Sequence, residues 1–98
     1  MSEVIQKNNP SGNETAATIY YATWCPFCKK LIENLDRTET PYSLVDIDQS
    51  EEAGQWVESV NDGNRVVPTV KYSDDTTATN PPAGDVRRKV KELSSWTL

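Results

Sequence analysis

The sequence predicts an α/β domain: a four-stranded mixed sheet with helices on both faces, in the order β-α-β-α-β-β-α. Three observations carry this. Apolar runs of strand length alternate with stretches of helical period, the pattern of strands joined by helices. Both cysteines of the chain, Cys25 and Cys28, stand where the first such strand meets the first such helix. The last two strands are separated only by Ser73-Asp74-Asp75, turn chemistry that implies an antiparallel hairpin.

Residues 1–16 are mostly polar, with Asn8-Asn9-Pro10-Ser11-Gly12-Asn13 in succession. They read as a disordered tail, because Val4 and Ile5 alone offset little ordering entropy. The domain is expected over 17–98. Its first strand covers 17–22. The first helix covers 26–37, with Cys28, Leu31, Ile32 and Leu35 at i, i+3, i+4 and i+7. Pro26 suits the first helical position, where an N–H would be unpaired anyway. Thr38 to Pro41 ends the helix, since a residue before proline avoids helical geometry.

The second strand, 42–47, carries Leu44, Val45 and Ile47, and its apolar continuity suits a strand covered on both faces. Asp48 or Ser50 caps the second helix, and Glu51 and Glu52 occupy its first turn, where negative charge is favoured. Ala53, Trp56, Val57 and Val60 form its buried stripe, and Gly63 stops it. A helix between consecutive strands implies right-handed parallel crossovers, so the third strand is expected to run parallel to the first two. That strand, 66–72, contains Pro68, which cannot donate to a ladder and belongs at a start, edge or bulge. The fourth strand is 76–79. Asn80-Pro81-Pro82 opens the last helix, with Asn80 a candidate cap and Val86, Val90 and Leu93 its stripe, extended by Trp96. Arg87, Arg88, Lys89 and Lys91 read as its solvated face.

Chemistry concentrates at Trp24-Cys25-Pro26-Phe27-Cys28-Lys29-Lys30. The first turn of a helix directs unpaired N–H groups and partial positive charge outward, which favours a thiolate, the nucleophilic form, over a thiol. Lys29, one turn on, is a candidate to stabilise that thiolate. Cys28 falls on the apolar face, where burial favours the neutral thiol. The expected pair is asymmetric: Cys25 exposed and reactive, Cys28 recessed and able to attack a mixed disulfide formed on Cys25. In sheets of this kind chemistry sits beyond the carboxyl ends of the strands, where Cys25 falls.

Bland uses of two cysteines fit less well. Zinc needs about four ligands, and a chain with two Cys and no His offers no Cys/His set of its own. Two chains sharing a metal or an iron–sulfur cluster stay open. A structural disulfide closing so small a loop constrains little of the unfolded chain. Trp24 and Phe27 flank Cys25 and read either as core or as an apolar rim for a thiol or a protein partner, with rim favoured for Phe27. Tyr20 and Tyr21 alternate along the strand, which turns Tyr21 toward Cys25.

The chain of 98 residues forms one domain, and its net charge of −5 argues against a nucleic-acid partner, which needs a basic face. No apolar run is long enough to span a membrane, and the first residues lack the apolar region of a secretory signal. These features point to the cytoplasm, where a CxxC pair is more often catalytic than structural. No metal and no bound cofactor are expected.

Cys25-Pro26-Phe27-Cys28 after a strand, Val67-Pro68 before the third strand and a turn before the last helix resemble the glutaredoxin family, the minimal form of the thioredoxin fold, over 17–96. More narrowly, Trp24-Cys25, Val60-Asn61-Asp62-Gly63-Asn64-Arg65, Val67-Pro68-Thr69-Val70 and Thr79-Asn80-Pro81 resemble the mycoredoxins, glutaredoxin relatives that reduce mixed disulfides with mycothiol. The resemblance implies that Cys25 is the nucleophile, Cys28 the resolving cysteine and Pro68 a cis-proline beside them, with the Val67 backbone left to pair with a substrate. It implies a monomeric thiol–disulfide oxidoreductase acting on S-thiolated client proteins. Mycothiol would be co-substrate, with an NADPH-linked flavin disulfide reductase upstream.

Three positions depart from the glutaredoxin pattern: Ala22 where a lysine often stands, Val66 where threonine is usual before Val-Pro, and Thr79-Asn80-Pro81 in place of a Gly-Gly turn. Each suits a sugar-bearing thiol better than glutathione. Thr69, Thr79 and Asn80 would then offer hydrogen bonds and Arg65 a partner for a carboxylate; Asn80 as a mere cap and Arg65 as solvated surface are equally weighted. A dithiol carrier reduced by thioredoxin reductase and a dimeric scaffold sharing an iron–sulfur cluster are the alternatives.

Overall fold

The computed structural model describes residues 4–6 and 15–96. Its elements are β1 (Val4–Gln6), β2 (Ala17–Tyr21), α1 (Pro26–Arg37), β3 (Ser43–Asp46), α2 (Glu51–Ser59), β4 (Thr69–Tyr72), β5 (Thr77–Thr79) and α3 (Ala83–Trp96). The four expected strands form the mixed sheet β3-β2-β4-β5, and β1 adds a fifth strand at the β3 edge.

That edge strand corrects the expected tail. Val4 pairs antiparallel with Val45, Ile5 with Leu44 and Gln6 with Ser43. The backbone groups of β3 would otherwise lie open on that side, and a ladder satisfies them whatever the side chains contribute. Weighing only two apolar side chains missed this main-chain gain. The rest of the expected tail, 1–3 and 7–14, lies outside the described residues. Order is already established at Thr15, whose hydroxyl donates to the Ala17 carbonyl at 2.6 Å and lies 3.0 Å from that of Ser43.

The direction of β4 is a second correction. β2 and β3 run parallel, with Ile19 opposite Leu44, but β4 runs antiparallel to β2, with Ile19 opposite Val70. Residues 60–68 carry the chain from the end of α2 back to the level of Cys25 before β4 begins. Thr69 therefore pairs with Tyr20 near the end of β2, and Tyr72 with Ala17 at its start. The 60–68 segment thus returns the chain to the Cys25 end of the sheet, so that β4 starts where β2 ends and runs antiparallel to it. The β4–β5 hairpin forms as expected, with Tyr72 N–H on the Thr76 carbonyl at 2.8 Å and Asp75 at φ 70°.

Helices cover both faces. On one, Leu31 and Leu35 of α1 and Val86, Val90 and Leu93 of α3 pack on Ala17, Ile19, Leu44, Val70 and Tyr72. On the other, Ala53 and Val57 of α2 pack with Ala22, Ile47, Cys25 and Cys28. Ser50, not Asp48, caps α2, its hydroxyl accepting the Ala53 N–H at 3.2 Å. The expected stripe of α2 holds at Ala53 and Val57, but Val60 is exposed because the helix closes there. Gly63 follows at φ 87° and returns its N–H to the Glu58 carbonyl at 2.7 Å. Asn80 does not cap α3, which starts three residues later at Ala83.

Candidate active site

Cys25 is itself the N-cap of α1. Its backbone is extended (φ −93°, ψ 114°), and its sulfur accepts the Cys28 N–H at 3.3 Å in the place where a Ser or Asp oxygen commonly does so. Pro26 at the first helical position leaves no donor there to compete. An N–H aimed at sulfur from a helix terminus stabilises a negative charge on that sulfur more than a neutral thiol. The thiol also donates to the Val67 carbonyl at 3.6 Å, so the strand–helix turn and the segment before β4 meet at one atom.

Both cysteines are free thiols. The expected exposure of Cys25 is corrected: it is 3 % exposed and Cys28 is 1 % exposed. Capping turns the sulfur of Cys25 in toward the helix axis, and Val67 lies against it. The surroundings act strongly on Cys28. Burial, then the hydrogen bond to Cys25, push the Cys28 thiol up to about 12. Cys28 is thus held as the neutral thiol, and the Cys25 sulfur beside it accepts a helix amide.

The other expected site residues divide into two groups. Some border the cysteines. The Val67-Pro68 peptide is cis and Pro68 is buried. No described residue hydrogen-bonds the Val67 N–H. Tyr21 packs beside the cluster that holds the cysteines, and burial, Asp46 and Cys28 all raise its hydroxyl above the ordinary tyrosine value. Trp24 and Phe27 are rim, not core, at 66 % and 63 % exposed. Trp24 is fixed by its indole N–H on Asp48 at 2.9 Å. Phe27 opens one end of a groove of about 330 Å³ between α1 and the start of α3, lined also by Asn34, Asn80 and Pro81. Asn80 adopts φ 49°, the left-handed region that Asn tolerates, and its N–H donates to the Pro68 carbonyl at 2.7 Å.

The second group, Lys29 apart, is engaged elsewhere. Arg65 lies at the surface but is not a free cation: its guanidinium pairs with Glu51 at 2.6 Å and Glu58 at 2.5 Å and lies across Gly54. Thr69 is fully buried, donating to the Val66 carbonyl at 2.7 Å. The Thr79 hydroxyl donates to Asn61 at 2.6 Å. Lys29 is exposed; its amide donates to the Cys25 carbonyl at 3.2 Å, and its ammonium makes no hydrogen bond or ion pair among the described residues. Asn61, quoted within the resemblance but given no role by sequence reasoning, joins α2 to both β4 and β5.

A helix-capping thiol beside a high-pKa partner thiol, under a cis-proline segment on a mixed α/β sheet, defines a thiol–disulfide oxidoreductase of the thioredoxin superfamily. The glutaredoxin family model matches residues 17–76, and the chain belongs to that family. Among curated proteins it is 58 % identical to Mycoredoxin 1 of Corynebacterium glutamicum over 77 residues, covering 79 % of this chain and 95 % of the relative. It is 43 % identical over 79 residues to a putative glutaredoxin of Mycobacterium tuberculosis, covering 81 % and 94 %. The chain is thus mycoredoxin-like within the glutaredoxins. The crystal structure of a glutaredoxin from Archaeoglobus fulgidus shares the fold, with a TM-score of 0.61 and 22 % identity over 87 % of this chain and 96 % of that one. Among the described residues no helix is long and apolar enough to cross a membrane.

Proposed function

We propose that the chain reduces mixed disulfides between client proteins and a low-molecular-weight thiol, with Cys25 as the nucleophile and mycothiol as the thiol it serves. The observation that carries the reading is the single sulfur atom on which the Cys28 amide and the Val67 carbonyl converge. A Cys25 thiolate attacks the small-thiol sulfur of the client's mixed disulfide. That S–S bond breaks, the client leaves as a thiolate that takes up a proton, and Cys25 carries the small thiol.

Two exits follow. A second small-thiol thiolate can attack the small-thiol sulfur, freeing Cys25 and a symmetric small disulfide, which an NADPH-linked flavin disulfide reductase returns to thiol. Alternatively Cys28 attacks Cys25, releasing the small thiol and leaving a Cys25–Cys28 disulfide. The second exit requires Cys28 to lose a proton that its burial favours keeping. The first asks nothing of Cys28, and the reading favours it.

The choice of mycothiol rests on what the site withholds from a carboxylate-rich ligand. Ala22 is 1 % exposed and packed under the cysteines, so it neither carries nor has room for a cation there. Arg65 already holds two carboxylates of its own chain. An uncharged, hydroxyl-rich arm needs hydrogen bonds instead, and the Val67 N–H and Asn80 side chain supply them. The identity to Mycoredoxin 1 supports the same choice.

All of these groups come from one chain, so the reaction needs no second copy, and a reducing compartment such as the cytoplasm suits it. Turnover of a mycothiol mixed disulfide compared with the glutathione one tests the reading. A coloured, dimeric protein from anaerobic preparation would instead favour the cluster-sharing scaffold.

A further inference from the structure

We propose that Asn61 is a positioning residue that holds the two segments bordering Cys25, 66–68 and 79–80, at the spacing a bulky thiol requires. Asn61 follows the last turn of α2. Its amide nitrogen donates to the Val57 carbonyl at 2.8 Å and to the Thr69 hydroxyl at 3.2 Å, and its oxygen accepts the Thr79 hydroxyl at 2.6 Å. The Thr69 hydroxyl donates its own proton to the Val66 carbonyl at 2.7 Å, so it can only accept from Asn61.

The consequences reach the site in two steps on each side. Val66 precedes Val67, whose carbonyl takes the Cys25 thiol proton at 3.6 Å. Thr79 precedes Asn80, whose N–H closes on the Pro68 carbonyl at 2.7 Å. One planar amide thus ties the end of α2 to both segments. Only an amide provides two donors and an acceptor in one plane; a carboxylate of the same shape has no donor, and a hydroxyl has one. The network also engages the hydroxyl protons of Thr69 and Thr79 within the protein.

The inference rests on the reading that these segments touch the small thiol. It is tested with one cysteine peptide in mixed disulfide with mycothiol, with glutathione and with 2-mercaptoethanol, which is too small to span the segments. Asn61→Asp is expected to raise KM for the mycothiol peptide about tenfold, the effect of a lost hydrogen bond or two. It should leave kcat, and KM for the 2-mercaptoethanol peptide, within about twofold. Alkylation of Cys25 by iodoacetamide should stay equally unchanged.

Thr79→Ala, at an exposed position, should raise KM in the same selective way, and the double variant should be no worse than Asn61→Asp alone. It also serves if Asn61→Asp does not fold. Equal rises for the mycothiol and 2-mercaptoethanol peptides, or a lowered Tm with all KM values unchanged, would overturn the proposal. If the wild type prefers the glutathione peptide, the choice of mycothiol fails, and the glutathione and 2-mercaptoethanol pair then decides the role of Asn61.

Discussion

The Cys25 thiol donates to the carbonyl oxygen of Val67 across 3.6 Å, bridging residues 42 positions apart in the chain. Opposite this contact the same sulfur receives the Cys28 N–H. A single atom therefore links the strand–helix turn to the segment before β4, and its reactivity depends on both.

Alkylation should separate the two cysteines by pH. Iodoacetamide reacts with thiolates, and a Cys28 thiol held up to about 12 is almost wholly protonated at pH 8. Mass spectrometry of the reduced protein treated between pH 7 and 9 should find modification on Cys25 alone, with Cys28 joining only toward pH 12. The same shift acts on stability. Folding favours the Cys28 thiol form, so its contribution is complete below about 9, the ordinary value, and fades as pH rises toward 12. Early labelling of Cys28 at pH 8 would contradict the account.

Replacing each cysteine should give unequal losses. Cys25→Ser removes the nucleophile and is expected to abolish reduction of small mixed disulfides. Cys28→Ser keeps the Cys28 N–H, and with it the hydrogen bond to the Cys25 sulfur. It should retain a large share of the activity in an NADPH-coupled assay. Comparable inactivity of the two variants would move the mechanism to a dithiol exchange.

Gly54 sets a competition between helix propensity and the Arg65 pairs. Alanine in place of glycine inside a helix is ordinarily worth up to about 1 kcal/mol of stability. Here a Cβ would stand 2.5 Å from Nη1 of Arg65, so the guanidinium must move off Glu51 and Glu58. In the Arg65→Ala background, Gly54→Ala should show the full gain as a Tm raised by roughly 4–8 °C. In the wild type the gain should shrink or reverse. Equal shifts in both backgrounds would mean that Arg65 does not depend on the space above Gly54.

What was legible in the sequence was local. The first helix was readable to the residue, because its apolar period, Pro26 at its start and the Thr38–Pro41 stop agree. The place of both cysteines at the strand–helix turn was legible from spacing, and the cis bond at Pro68 from the family resemblance. What failed depended on partners distant in the chain. Arg65 looked like a free cation because Glu51 and Glu58 face it only once residues 60–68 fold back on α2. The hydrogen bonds of Thr69 and Thr79 to Asn61 were hidden because Asn61 sits in a turn with no apolar period to mark it. The strand β1 was hidden for a related reason: its stabilisation comes from the open edge of β3. The burial of Cys25 follows from the direction its sulfur takes as a cap, which residue type does not reveal.

The most direct test is an NADPH-coupled assay on one peptide mixed disulfide, made with mycothiol or with glutathione and run with the matching thiol and reductase. With Ala22 buried and Arg65 engaged, turnover with mycothiol is expected to exceed that with glutathione by about tenfold or more, the equivalent of one lost charged contact. Equal turnover with the two thiols would contradict the account and leave a glutaredoxin without preference between them.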